Sequence, residues 1–277
     1  TSFSYVLTLN KIREDLPEEH RPSWVKVTTI TMVSKFLNEI DIPTLRHRMS
    51  KLKTIRLRMA GSKSPGFEWK LRETKFYNQV TLGYVDQYST KSIKVFPNGS
   101  VQVAGCSDLF DCNRVIRQLT FILKTLLNID DDIPSSSFRV VMINTNFSLN
   151  YNINLFNLAD HFSKESMFNV SFDPDRYSAV KIKFKPASDM KQVTASVFST
   201  GKVIVTGAET LKEIAYAYNV INQHILTQAG SIKVGRVDNP DVFGTIFGYN
   251  IDELVGELQK KGFHPWGYTP INHQINF

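Results

Sequence analysis

Residues 95–105 read Val95-Phe96-Pro97-Asn98-Gly99-Ser100-Val101-Gln102-Val103-Ala104-Gly105, and residues 197–207 read Val197-Phe198-Ser199-Thr200-Gly201-Lys202-Val203-Ile204-Val205-Thr206-Gly207. At a fixed offset of 102, six of the eleven positions coincide. In each copy a β-rich run ends at Phe, a four-residue turn places Gly last, and an alternating V-x-V strand follows. Glycine supplies the positive φ that such a turn often demands. The second glycine, Gly105 or Gly207, closes the strand ahead of a helical pattern. Leu109, Cys112, Val115, Ile116 and Leu119 carry that pattern in one copy, and Leu211, Ile214, Ala215, Tyr218 and Ile221 in the other. Repetition of a whole supersecondary unit decides the architecture.

Upstream the correspondence continues more loosely. Val25–Val33 and Phe138–Thr145 are β-branched stretches, each followed by a short helical signal with Asp41 or Asn152 as its expected N-cap. Tyr77–Val85 and Tyr177–Phe184 alternate as strands do. The unit is therefore strand, short helix, three or four strands and a long helix, written twice: an α+β fold. An antiparallel sheet with its long helices on one face leaves the other face for solvent, a partner sheet or a large ligand.

Composition narrows the classes. The 277 residues are 42% hydrophobic and 21% charged, as in an ordinary globular protein rather than a disordered or collagen-like one. No uninterrupted apolar window approaches the ~18 residues of a membrane span, and Thr1-Ser2-Phe3-Ser4-Tyr5 is unlike a secretory signal. Cys106 and Cys112 are the only cysteines, too few for a thiolate zinc site, and are expected reduced in an intracellular protein. The net charge is +7, and residues 1–138 hold 20 Lys/Arg against 14 Asp/Glu. Six of those cations, Arg46, Arg48, Lys51, Lys53, Arg56 and Arg58, form one run, which suits either a polyanion or a solvated face. No phosphate-cradling loop, nucleophile motif or metal-ligand cluster occurs, so neither catalysis nor a cofactor is expected.

V-F-x-x-G-K-V-x-V-T-G-A followed by a helix, present closely at Phe198–Ala208 and in degraded form at Phe96–Cys106, resembles the TATA-box-binding protein family core. The resemblance covers roughly residues 24–228, and its divergence implies a remote member, for instance one encoded by a large DNA virus. It implies a pseudo-symmetric two-repeat saddle: a curved antiparallel sheet, long helices on the convex face and DNA under the concave face. It further implies aromatic wedges at Phe96 and Phe198, partnered by Tyr177 and by Tyr77 or its neighbour Phe76. A wedge must be flat, rigid and apolar, because it replaces base stacking at a cost of roughly a few kcal/mol per opened step. Tyr carries a hydroxyl that needs a partner, so Tyr77 and Tyr177 are expected to insert less deeply.

The groove floor follows from strand alternation. Where the family places asparagine in its first strands, this chain has Thr29 and Met142, with Thr31, Val33 and Asn144 on the same faces. On the same resemblance, Gln102, Ala104, Ile204 and Thr206 are expected to line the floor from later strands. Small and apolar groups suit the minor groove of A·T pairs, which offers acceptors only. Lys94, Lys183 and Lys202 are expected at phosphates, which position a protein without naming a sequence. Gly83 and Ser100 replace basic residues whose second-repeat counterparts are Lys183 and Lys202, and Lys94 and Ser196 replace apolar groove-facing ones. From these departures a weaker or differently placed A·T preference is expected.

The expected organisation is an N-terminal extension over 1–22, a first repeat over 23–134 with an insertion near 60–75, a second repeat over 135–228 and a C-terminal extension over 229–277. The first extension is expected to begin β-like at Phe3–Leu9. The last is expected to hold a helix over Ile251–Lys261 with Asn250 or Asp252 near its cap, a stop at Gly262, and the aromatic turn His264-Pro265-Trp266-Gly267-Tyr268. These additions either pad the sheet ends or dock partners. The functional expectation is a transcription-initiation factor that binds and bends A/T-rich promoter DNA and helps recruit initiation factors and the RNA polymerase machinery. No membrane or small-molecule partner is expected, and the site of action is the nucleus or, for a viral protein, a cytoplasmic replication site or virion. The competing expectation is an interaction module that keeps the fold without gripping DNA.

Overall fold

The computed structural model describes residues 2–262 apart from 59, 64, 88, 107, 108, 131, 132, 137, 242–244, 247 and 248. The chain begins with α1 (Ser2–Glu14), β1 (Lys26–Lys35), α2 (Ile42–Leu52), β2 (Thr54–Leu57), β3 (Phe67–Arg72), β4 (Val80–Val85), β5 (Thr90–Val95), β6 (Ser100–Cys106) and α3 (Leu109–Leu127). It continues with β7 (Arg139–Ser148), β8 (Tyr151–Ile153), α4 (Leu155–Ser163), β9 (Asn169–Ser171), β10 (Ala179–Phe184), β11 (Val193–Phe198), β12 (Lys202–Ala208) and α5 (Leu211–Thr227). After these come α6 (Ala229–Ile232), β13 (Lys233–Arg236) and α7 (Ile251–Lys260). The chain divides into two compact units, residues 29–141 and residues 1–28 with 142–277.

In the unit of residues 29–141 the strands run in the order β2-β3-β4-β5-β6-β1, with every pair antiparallel. One face carries Ile30, Met32, Trp69, Leu82, Ile93 and Val103, which are buried with Leu45 and Met49 of α2 and Leu119 and Leu123 of α3 in one core. Removing this apolar area from water is the main source of stability, at ~25 cal/mol per Å². The Trp69 indole donates to Gln118 Oε1 at 2.9 Å, satisfying the polar edge of a fully buried ring. Asp41 caps α2 as the sequence suggests, accepting from Thr44 N at 3.1 Å. The region expected as an insertion loop contributes β3, whose core-facing Trp69 and Leu71 alternate with Glu68, Lys70 and Arg72.

Cys106 and Cys112 form a disulfide, with Cα atoms 5.9 Å apart, rather than two thiols. Cys106 ends β6 and Cys112 lies in the first turn of α3, so the strand-to-helix reversal turns both fully buried side chains into one layer. Strand and helix periodicities considered separately hide that closure.

In the other unit the order is β7-β12-β11-β10-β9, again antiparallel. Ile143, Phe147, Ile182, Val197 and Val205 are buried on one face, as are Ile214, Tyr218 and Ile221 of α5. Thr210 and Glu213 form a reciprocal capping box at the start of α5. α4 is capped by Asn154, which accepts from Asn157 N at 3.0 Å, while the expected cap Asn152 lies in β8. The N-terminal segment is helical rather than β-like, because Leu9 and Ile12 recur at helical spacing and both are buried, with Leu16 buried just beyond the helix. α1 lies against α5 and α7, and β13 pairs with β8. α7 matches the helix expected near the C-terminus, and Gly262 follows it at φ +82°. The side chains of Asn250 and Asp252 and the whole of His264–Tyr268 lie outside the described residues. Among the described residues no helix is long and apolar enough to cross a membrane.

Candidate nucleic-acid interface

Among the described residues the helices of each unit pack on one face of its strands, and strand alternation selects what the other face carries. Paired residues of an antiparallel ladder share a face, so the registers define rows across it. In the unit of residues 29–141 one row runs Arg72, Thr81, Lys94, Gln102 and Val33, and the next runs Lys70, Gly83, Ser92, Ala104 and Thr31. The floor candidates Thr31, Val33, Gln102 and Ala104 therefore lie on one face together with Lys94. Thr29 lies at the start of the same unit, two residues before Thr31 on β1.

In the other unit one row runs Ser171, Lys181, Ser196, Ile204 and Asn146, and the next runs Asn169, Lys183, Thr194 and Thr206. Ile204, Thr206 and Lys183 thus share one face, with Thr194 between Thr206 and Lys183. Lys202 sits at the head of β12 opposite Ser148. Met142 and Asn144 alternate with the buried Ile143 and Thr145, which places them on the open face with Asn146. Asn146 was legible in principle, since it continues the two-residue step from Asn144. Lys181 was not, because its importance comes from the ring that it touches.

That ring belongs to Tyr177. Its centroid lies 5.8 Å from that of Phe198 in an edge-to-face arrangement, and Lys181 Nζ lies 4.6 Å from the Tyr177 centroid. Phe198 is half-buried on the open side of β11, opposite the buried Ala179. Two aromatic rings and a cation thus meet at one corner of the open face. Edge-to-face packing and a cation over the ring each favour a fixed ring orientation.

The corresponding corner of the other sheet is looser. Phe96 is half-buried where β5 ends, but Tyr77 lies in a turn ahead of β4 and is 88% exposed, against 41% for Tyr177. Its neighbour Phe76 is also exposed. Val80 pairs with Val95 as Val180 pairs with Val197, so Thr81 occupies the position of Lys181. Threonine offers no cation to the tyrosine ring. The Tyr77 turn is instead held from α2, where Arg46 donates to the carbonyls of Tyr77 at 3.1 Å and Gln79 at 2.6 Å. Arg48 donates to the carbonyl of Leu126, and Arg56 pairs with Glu68 at 3.2 Å. Three members of the basic run are therefore engaged within the fold.

The turn glycines answer to geometry. Gly99 and Gly201 adopt φ +86° and +88°, and a Cβ on either would strike the carbonyl oxygens that face it, those of Phe36 and Asn38 for Gly99 and of Tyr151 for Gly201. Their amides close the turn by donating to Phe96 O at 3.0 Å and Phe198 O at 2.9 Å. The aromatic residue and the glycine are parts of one hydrogen-bonded device, repeated in both sheets. No cluster of three or more metal-ligating side chains occurs among the described residues.

Residues 137–227 match the family described as transcription factor TFIID, or TATA-binding protein. A TATA-box-binding protein-like protein of Acanthamoeba polyphaga mimivirus is 31% identical over 186 residues, which are 57% of this chain and 50% of that protein. The chain thus spans about half the length of that relative. Among solved structures, the Methanococcus jannaschii TBP is similar with a TM-score of 0.49 and 14% identity, over 73% of this chain and 98% of that one.

Proposed function

We propose that this chain, which is similar to TATA-binding proteins over residues 137–227, is a transcription-initiation factor whose open sheet faces lie on the minor groove of A/T-rich promoter DNA and bend it. The observation that carries this reading is the Tyr177–Phe198 pair with Lys181 at one corner of the open face. Phe198 supplies an apolar ring able to enter a base step, and Tyr177 buttresses its edge. Phe96 and Tyr77 perform the same task at the other sheet. Thr29, Thr31, Val33, Gln102 and Ala104 form the floor of one half, and Met142, Asn144, Ile204 and Thr206 that of the other. Floors of this kind exclude the exocyclic amine of G·C pairs sterically while making few sequence-specific bonds.

Lys94, Lys183 and Lys202 contact phosphates and release counterions. The bent complex then recruits other initiation factors and the polymerase machinery. Affinity for an A/T-rich duplex should fall linearly with the logarithm of salt concentration. Phe198→Ala should weaken the complex roughly 5- to 150-fold, since stacking an aromatic ring on a base contributes ~1–3 kcal/mol, and should leave the salt slope unchanged. Fluorescence anisotropy over a salt series measures both. Binding that shows no salt dependence and no preference over G/C-rich duplex would favour an interaction module that retains the fold alone.

A further inference from the structure

The two open faces carry their positive charge on different strands. The registers make Thr81 equivalent to Lys181 and Gly83 equivalent to Lys183, because Val80–Val95 and Val180–Val197 are matching pairs that precede the two wedge phenylalanines. In the second repeat the inner strand β10 holds the lysines, and the outer strand β9 faces them with Ser171 and Asn169. In the first repeat the inner strand β4 holds Thr81 and Gly83, and the outer strand β3 faces them with Arg72 and Lys70. Each lysine absent from the inner strand is matched by a cation directly across the ladder.

The exchange has a steric signature. A Cβ placed on Gly83 would fall within the Arg72 side chain, 3.0 Å from Nη2 and 3.1 Å from Cζ. The guanidinium therefore lies over the bare backbone where the second repeat has its own lysine stem. Gly83 has an ordinary extended conformation, so its small size serves this approach rather than any turn. β2 lies beyond β3, so β3 is an interior strand in its sheet, whereas β9 is an edge strand of three residues. Arg56 of β2 approaches Glu68 more closely than Lys70 does, 3.2 Å against 3.4 Å. Both pairs are on the surface, where such contacts are worth little and exchange readily for a phosphate.

We infer that Lys70 and Arg72 are phosphate-binding residues that supply, from the outer strand, the positive charge that β4 lacks at Thr81 and Gly83. The ligand is the sugar–phosphate backbone of the duplex, and the inference rests on the DNA-binding function proposed above. Moving the cations outward by one strand shifts the bound phosphates of the first half outward by about the 4.8 Å spacing between strands.

The test compares four forms of the full chain on one A/T-rich duplex over a salt series: wild type, Lys70→Ala/Arg72→Ala, the same pair combined with Thr81→Lys/Gly83→Lys, and Phe198→Ala. The double variant should lose about 2 from the magnitude of the log–log salt slope, at close to one per phosphate contact. Returning lysines to β4, where the shortened residue 72 leaves room for them, should restore the slope. Thermal midpoints of all four forms identify any loss due to misfolding, and the restored slope is a readout that a purely structural role for β3 would not give. A double variant that binds with the wild-type slope overturns the inference while leaving the proposed function standing. Absence of salt-dependent binding by the wild type overturns both.

Discussion

Gly201 shows how far a single residue governs the candidate site. Its positive φ and the Tyr151 carbonyl facing its α-carbon exclude any side chain, and its amide closes the turn on Phe198 O. Gly201→Ala should therefore destabilise the chain by about 1–3 kcal/mol, measured as a lower urea midpoint. Gly230→Ala, in α6 with nothing within 4 Å of the added methyl, is the control and should be near neutral. Equal midpoints for the two variants would contradict a steric role for Gly201. This glycine was legible in the sequence because a tight turn followed by an alternating strand leaves few residues able to supply its dihedral angles. Lys181 and Arg72 were not legible, since each acts on a residue of another segment: a ring ahead of its own strand, or a bare backbone across the ladder.

At the scale of elements, periodicity revealed what repeats and missed what closes. The strands on either side of Gly99 and Gly201 and the helices after Gly105 and Gly207 stand where the sequence places them, because an apolar step of two or of three and four persists over each. The sequence of α1 suggests a strand because Phe3, Tyr5 and Val6 favour strands in composition, while the helical spacing emerges only at Leu9 and Ile12. Asn152 and Asn154 are equivalent as caps by residue type, and only the pairing of β8 with β13 assigns Asn152 to a strand.

That same pairing holds Lys233, whose ammonium lies 2.9 Å from His20 Nδ1 and 4.5 Å from the Tyr151 ring centroid. Burial, with Arg236 adding to it and Glu19 opposing, pulls the Lys233 pKa from its ordinary 10.5 down to about 8. Between those values the unfolded chain binds the proton and the folded chain does not, so this group adds stability as pH rises through the window. The difference in urea midpoint between wild type and Lys233→Met should move in favour of wild type from pH 7.5 to pH 10. A difference independent of pH would show that Lys233 titrates alike in both states.

At the scale of the whole molecule, the net charge of +7 and two open faces lined by small, polar and cationic groups suit a long polyanion. The sequence conveys this weakly, because a count of cations does not separate Arg46 and Arg48, which hold carbonyls of the fold, from Lys183, which lies on the open face. The central claim is that paired aromatic corners open base steps and bend the duplex, and end-to-end energy transfer on a doubly labelled A/T-rich duplex tests it most directly. The wild-type chain should shorten the end-to-end distance on binding, and Phe96→Ala/Phe198→Ala should bind at low salt while leaving the duplex close to straight. Saturating wild-type binding without any shortening, or equal shortening by the double variant, would contradict it.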